Sequence, residues 1–92
     1  MITGHVFIGV TGKDRPGIVA AVSRVLADHL IDIVDLNQRI VGERFGISIV
    51  VDMTQCELSI PQLRQELIKA TQMFDIRIHV MHEETIRAMH RV

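Results

Sequence analysis

Ninety-two residues, 48% of them hydrophobic and only two of them proline, suffice for one small aliphatic core over residues 1–92 and exclude a disordered chain. Ten basic and eleven acidic residues are interspersed to a net charge of −1, and rings are scarce, with three Phe and no Trp or Tyr. That balance supplies neither a basic stripe nor a stacking platform, so nucleic acid is excluded as an expected partner.

His5 to Thr11 alternates, with Val6, Ile8 and Val10 on one face and His5, Phe7, Gly9 and Thr11 on the other. This is the pattern of a half-buried strand. The stretch Gly12-Lys13-Asp14-Arg15-Pro16-Gly17-Ile18 then leads into a helical pattern. Gly12 and Gly17 permit a sharp turn, Pro16 suits a first helical turn, and Asp14 can accept hydrogen bonds from that turn's N–H groups. The same N–H groups, at the positive end of the helix dipole, are suited to a carboxylate or phosphate, although most such turns bind nothing. Ile18, Val22, Val25, Leu26 and His29 share one helical face, which predicts a helix of about fifteen residues packed on a sheet.

Ile31 to Val41 is rich in β-branched residues and reads as a second strand. Val34, Leu36 and Ile40 share one face, while Asp35, Asn37 and Arg39 face the other way. Gln38 falls on the apolar face and is expected to find hydrogen-bond partners there, more often backbone than ligand. Gly42-Glu43-Arg44 reads as a hairpin turn, followed by a third strand marked by Phe45, Ile47, Ile49 and Val51 and ending at Asp52. Met53 to Leu58 is a connector. Ser59 and Gln62 have the form of a capping box, Pro61 sits in a first turn, and Leu63, Leu67, Ala70 and Phe74 predict a second helix ending near Met73. Ile76, Ile78 and Val80 alternate with Arg77, His79 and Met81 as a fourth strand, and Glu84 to Val92 carries a weak helical pattern.

The order β-α-β-β-α-β with right-handed crossovers predicts an α+β, ferredoxin-like sandwich: a four-stranded antiparallel sheet with two helices on one face. The other face would carry His5, Phe7, Asp35, Asn37, Arg39, Ser48, Val50, His79 and Met81. A small, aliphatic, weakly charged domain of this kind often gains stability by pairing, which raises the expectation of a homodimer.

No catalytic residue is expected. Cys56 stands in a connector with no histidine near it in sequence, and HExxH, GxSxG, P-loop and CxxC patterns are absent. One cysteine rules out an internal disulfide framework; with no apolar leader and no membrane-length apolar run, the chain reads as cytoplasmic, without a membrane partner. His79 and His82 point to opposite faces of a strand, His5 lies on a neighbouring strand and His90 in the tail, so neither a metal site nor a cofactor is expected.

The segments Val10 to Val19, Val25-Leu26-Ala27, Asp32 to Leu36 with Gln38, Val51-Asp52, and the ending Glu83-Glu84-Thr85-Ile86 with Met89-His90-Arg91-Val92 resemble the ACT domain family, over essentially the whole chain. The resemblance is to its stand-alone single-domain bacterial members. It extends to the ACT modules of the glycine-cleavage repressor and of formyltetrahydrofolate deformylase. It implies a non-enzymatic regulatory module, paired side by side through second-strand edges, with an amino acid at the interface. Carried across position by position, the ligand-binding residues would be Gly12, Lys13, Asp14, Arg15, Pro16, Gly17 and Ile18 of one chain, facing Asp32 and Ile33 of the other. The ligand carboxylate would meet N–H groups near Gly17 and Ile18, and its ammonium Asp14 or Asp32. Two positions depart from the family: Asp32 replaces a common Asn, and Leu30 replaces a Gly near the end of the first helix, which would narrow the pocket. The alternative expectation is a protein-interaction subunit for a separately encoded enzyme or transcription factor, acting through the open sheet face at Phe7, Val50 and Met81.

Overall fold

The computed structural model describes residues 4–89. Its elements run β1 (His5–Lys13), α1 (Ile18–Asp28), β2 (Asp32–Val41), β3 (Arg44–Asp52), α2 (Ile60–Ala70), β4 (Ile76–His82) and α3 (Glu83–Met89). The four strands form one antiparallel sheet in the order β2-β3-β1-β4, so the ferredoxin-like βαββαβ arrangement is present. His90 and the residues after it lie outside the described part of the chain.

The core is the one that alternation predicts. Val6, Ile8 and Val10 from β1 and Phe45, Ile47, Ile49 and Val51 from β3 are buried, against Ile18, Val22, Val25 and Leu26 of α1 and Leu63 and Leu67 of α2. Apolar side chains two apart on a strand and three or four apart on a helix meet in the layer between them. The connector adds Met53 and Cys56 to this core.

Both helices are eleven residues long, shorter than their apolar patterns suggest, for identifiable reasons. Pro16 and Gly17 form a turn ahead of α1, because Gly17 is left-handed at φ 94° and the helix begins only after it. At the end of α2 the buried Thr71 turns its hydroxyl back to the Leu67 carbonyl at 2.7 Å, stopping the helix short of Met73. The capping box is realised: the Gln62 N–H donates to Ser59 Oγ at 3.2 Å and the Ser59 N–H to Gln62 Oε1 at 2.8 Å.

β2 departs from the expected phase. Asp32 pairs with Asp52 and Ile33 with Val51, but Asp35, not Val34, stands opposite Val50. Val34 is therefore an extra residue in a β-bulge, and the strand's faces exchange across it. Ile33, Leu36, Gln38 and Ile40 share the helix side with the buried β3 residues, whereas Asp32 and Asp35 lie on the open side. The whole of β2 is solvent-exposed.

Leu30 has φ 57°, the left-handed conformation usually filled by glycine after a helix, and the residue is 68% exposed. Its N–H donates to the Ala27 carbonyl at 3.2 Å, and the Ile31 N–H to the Leu26 carbonyl at 2.9 Å. Leu30 thus turns the chain from α1 into β2, and its exposed side chain lies among Asp28, His29 and the connector rather than against the first loop. Replacing Leu30 with Gly relieves the strain at little packing cost, and should raise stability by about 1 kcal/mol in urea denaturation.

Candidate ligand-binding site

The loop between β1 and α1 is held at both sides by its backbone. The Lys13 N–H donates to the Asp75 carbonyl at 3.1 Å, tying the loop to the entry of β4, and the Asp14 N–H donates to the Glu43 carbonyl at 2.8 Å, tying it to the β2–β3 hairpin. Gly12, at φ 153°, makes the first of these approaches possible. A Cβ there would overlap the Asp75 carbonyl oxygen and stand 2.7 Å from Ile76 Cα. Its missing side chain serves the packing of β4 on β1.

Beyond these ties α1 begins without a side-chain cap, so the capping role expected of Asp14 is not realised. Ala21 is the first residue whose N–H finds an acceptor in the helix, the Gly17 carbonyl at 2.9 Å. The N–H groups of Ile18, Val19 and Ala20 precede it and carry the positive end of the helix dipole. They open onto a cleft of about 320 Å³ lined by residues 14–20 together with Gln38, Phe45 and Ile47. Gln38 reaches this cleft from the helix side of β2. It is exposed and makes no side-chain hydrogen bond among the described residues, contrary to the tie-down expected of it. An uncapped row of donors, an amide and a carboxylate at Asp14 can together satisfy a small zwitterion, with apolar surface from Ile18, Phe45 and Ile47 for its side chain.

Of the expected site residues, Asp14, Arg15, Pro16, Gly17 and Ile18 come together around the cleft. Lys13 turns to a neighbouring depression with Met73, Phe74 and Asp75. Asp32 and Ile33 sit at the far end of β2 from Gln38, so one copy of the chain does not bring them to the loop. Ile33 shares the cleft's side of the sheet; the Asp32 side chain does not. Gln38 was legible as the one polar residue on an apolar face, though its reach into the cleft was not.

Other candidates are occupied or dispersed. A wider depression, about 580 Å³, lies along residues 54–59 with Gln62, where Ser59 and Gln62 already cap α2 and Cys56 Sγ accepts from the Leu58 N–H at 3.4 Å. His5 Nδ1 lies 3.9 Å from Glu83 Oε2, and His82 Nδ1 accepts from the Glu84 N–H at 3.1 Å. Among the described residues no group of three or more His, Cys, Asp or Glu side chains is placed to hold a metal ion. No helix among the described residues is long and apolar enough to cross a membrane.

The chain thus combines a ferredoxin-like fold with a first strand–helix loop that opens a cleft beside an exposed edge strand. The chain belongs to the ACT domain family, whose profile matches residues 5–81. Members of this family are generally regulatory and ligand-binding. The chain is similar to a UPF0237 protein of Methanopyrus kandleri, 42% identical over 85 residues that cover 92% of this chain and 94% of that one. An ACT domain protein from Streptococcus pneumoniae superposes with a TM-score of 0.76 at 30% identity, over 94% of this chain and 97% of that chain. The regulatory subunit of aspartate kinase from Thermus thermophilus superposes with a TM-score of 0.63 at 25% identity, over 83% and 49% of the two chains. The expected likeness to formyltetrahydrofolate deformylase and to a putative glycine cleavage repressor is present as a likeness of fold.

At the end of β3 the Asp52 carboxylate accepts from the Thr54 hydroxyl and, at 2.8 Å, from the Thr54 N–H. These bonds hold it below the ordinary carboxylate range, with a smaller contribution from the nearby His5. A lowered native pKa contributes stability above the ordinary carboxylate range, and that contribution is lost as pH falls through the native value. Thr54→Val removes the hydroxyl and should raise the Asp52 pKa towards its ordinary value. NMR titration of the side-chain carboxyl carbon reads this directly, and acid unfolding should begin at higher pH.

Proposed function

We propose that this protein is a non-enzymatic regulatory module that binds a small amino acid or related metabolite at the interface of a homodimer paired through its β2 edges. The observation that carries the reading is the uncapped start of α1, opening on a cleft into which Gln38 projects with its amide unspent. The ligand carboxylate would lie against the N–H groups of Ile18 and Val19. The ammonium would take the Asp14 carboxylate or the Gln38 amide oxygen as acceptor.

The second copy is supported by β2 itself. An edge strand with an unpaired backbone ladder and exposed Ile33, Leu36 and Ile40 is a template for another strand. Antiparallel pairing of two such edges, about a two-fold axis near their middle, sets the start of one β2 beside residues 38–40 of the other. Ile33 of the second copy would then close the cleft, and Asp32 would contribute backbone rather than carboxylate.

A second reading is an interaction subunit for a separately encoded enzyme or transcription factor. Phe7, Val50 and Met81 favour it, since strand pairing sets them side by side on the face away from the helices.

Isothermal calorimetry against the standard amino acids should give heat with at least one of them, and Gln38→Ala should weaken that binding about tenfold or more. Saturation at a hundredfold excess over the dissociation constant should stabilise the protein by about 2.7 kcal/mol in a melting experiment. Absence of heat and of thermal shift with every amino acid at millimolar concentration would sink the reading. Independently, Leu36→Lys should convert the dimer to monomer in sedimentation equilibrium without unfolding it, because Leu36 packs into no core.

A further inference from the structure

The face of the sheet opposite the helices is built of rows that the strand register defines, and the rows are not alike. The middle row runs Asn37, Ser48, Gly9 and His79 from β2 to β4. Two residues towards one end stands a bulky row, Asp35, Val50, Phe7 and Met81. Two residues towards the other end stands a low row with long cationic ends, Arg39, Gly46, Thr11 and Arg77. Beyond these, Asp32, Asp52 and His5 finish the first end, and Val41, Arg44 and Lys13 finish the second. The face is thus acidic and ridged at one end, and basic and hollow at the other. Among the described residues none of Lys13, Arg39, Arg44 or Arg77 makes an ion pair with an acid of its own chain.

We propose that this face packs against the same face of a second copy, sheet to sheet, about a two-fold axis crossing the strands at the Asn37–Ser48–Gly9–His79 row. That operation maps each row onto the one equally distant on the other side. Arg39 then stands over Asp35 of the second copy and Arg44 over its Asp52. The ridge of Val50, Phe7 and Met81 lowers into the hollow at Gly46 and Thr11. Both contacts occur twice, as an isologous interface requires, and the strands stay nearly aligned, as in other packed antiparallel sheets. Charge complementarity selects a copy of this chain: a partner with a uniformly acidic or basic surface would meet like charge at one end of the face.

The size of the face sets the strength. Four strands about 4.8 Å apart and roughly seven residues long present on the order of 500 Å² per copy. About 1,000 Å² in all is the lower limit for a specific interface, so the association is reversible and salt-sensitive. It uses neither the cleft nor the β2 edge. Its failure leaves the ligand-binding reading untouched, and where β2 edges also pair, the product is a tetramer.

Sedimentation of the full chain across a concentration series, at low and at physiological salt, tests this. Arg44→Glu and Asp52→Lys each place like charges over one another and should weaken the step by about tenfold or more. An equimolar mixture of the two variants re-creates both opposite-charge contacts and should restore association to within about threefold of the native chain. Gly46→Leu is a second probe that does not alter charge. A Cβ at Gly46 meets nothing within 4 Å in its own chain, so its melting curve should hold while its association weakens by a similar factor. Native-like association in all three variants overturns the proposal, as does a mixture no tighter than its components. A native chain that never associates beyond the species abolished by Leu36→Lys also overturns it. Capture of a different protein that is lost in Gly46→Leu, with self-association unchanged, would give the face to that partner instead.

Discussion

The contact between Gly12 and the backbone at Asp75–Ile76 is the constraint on which the candidate site depends. β1 is a central strand, and to reach Lys13 while paired on both sides it must pass β4 too closely for any side chain. Once it does, the loop that follows is already tied to β4 through Lys13 and to the hairpin through Asp14. The chain therefore arrives at Gly17 from a fixed point and in a fixed direction. The uncapped start of α1 faces Gln38 and Phe45 where the end of β1, the entry of β4 and the β2–β3 hairpin meet. A mobile loop would spend binding energy on its own ordering; this one is anchored by its own backbone.

A second constraint is one of width. Two eleven-residue helices cover β1, β3 and β4, and the sheet is one strand wider than they can roof. β2 is left with Ile33, Leu36 and Ile40 on the correct side for burial but only partly covered, at 42%, 37% and 54% exposure. The apolar residues of that strand consequently have a different meaning from those of β1 and β3, although their patterns look alike in sequence.

Most of the fold was legible because β1, β3 and β4 alternate without interruption and both helices carry a clear apolar stripe. The errors are local and have physical causes. Reading β2 as an unbroken alternation assigned Val34 to the apolar face; one unpaired residue there exchanges Asp32 with Ile33, and with them the side chain expected to face a ligand. A bulge is set by pairing with a neighbour, which no single strand's pattern records. Helix lengths were overestimated because Gly17 and Thr71 end helical geometry through backbone angle and side-chain back-bonding, while the apolar period runs on past them. At the site, the Gly12–Ile18 loop was recognisable from its composition, but its division of labour was not. Gly12 turned out to serve packing, and Gln38, which looked like a residue in need of satisfaction, is the one whose polar group remains available.

The exposed β2 edge also bears on how such a chain survives in a crowded cell. The outer edge of this ten-residue strand, flanked by Ile33, Val34, Leu36 and Ile40, is a surface on which an extended peptide could grow a sheet. The Val34 bulge and the charges of Asp35 and Arg39 narrow the set of strands that fit this edge. Closing two edges against each other removes both from solution at once. In the proposed pair, solubility would be a property of two chains together, and concentration would become part of what keeps each edge covered.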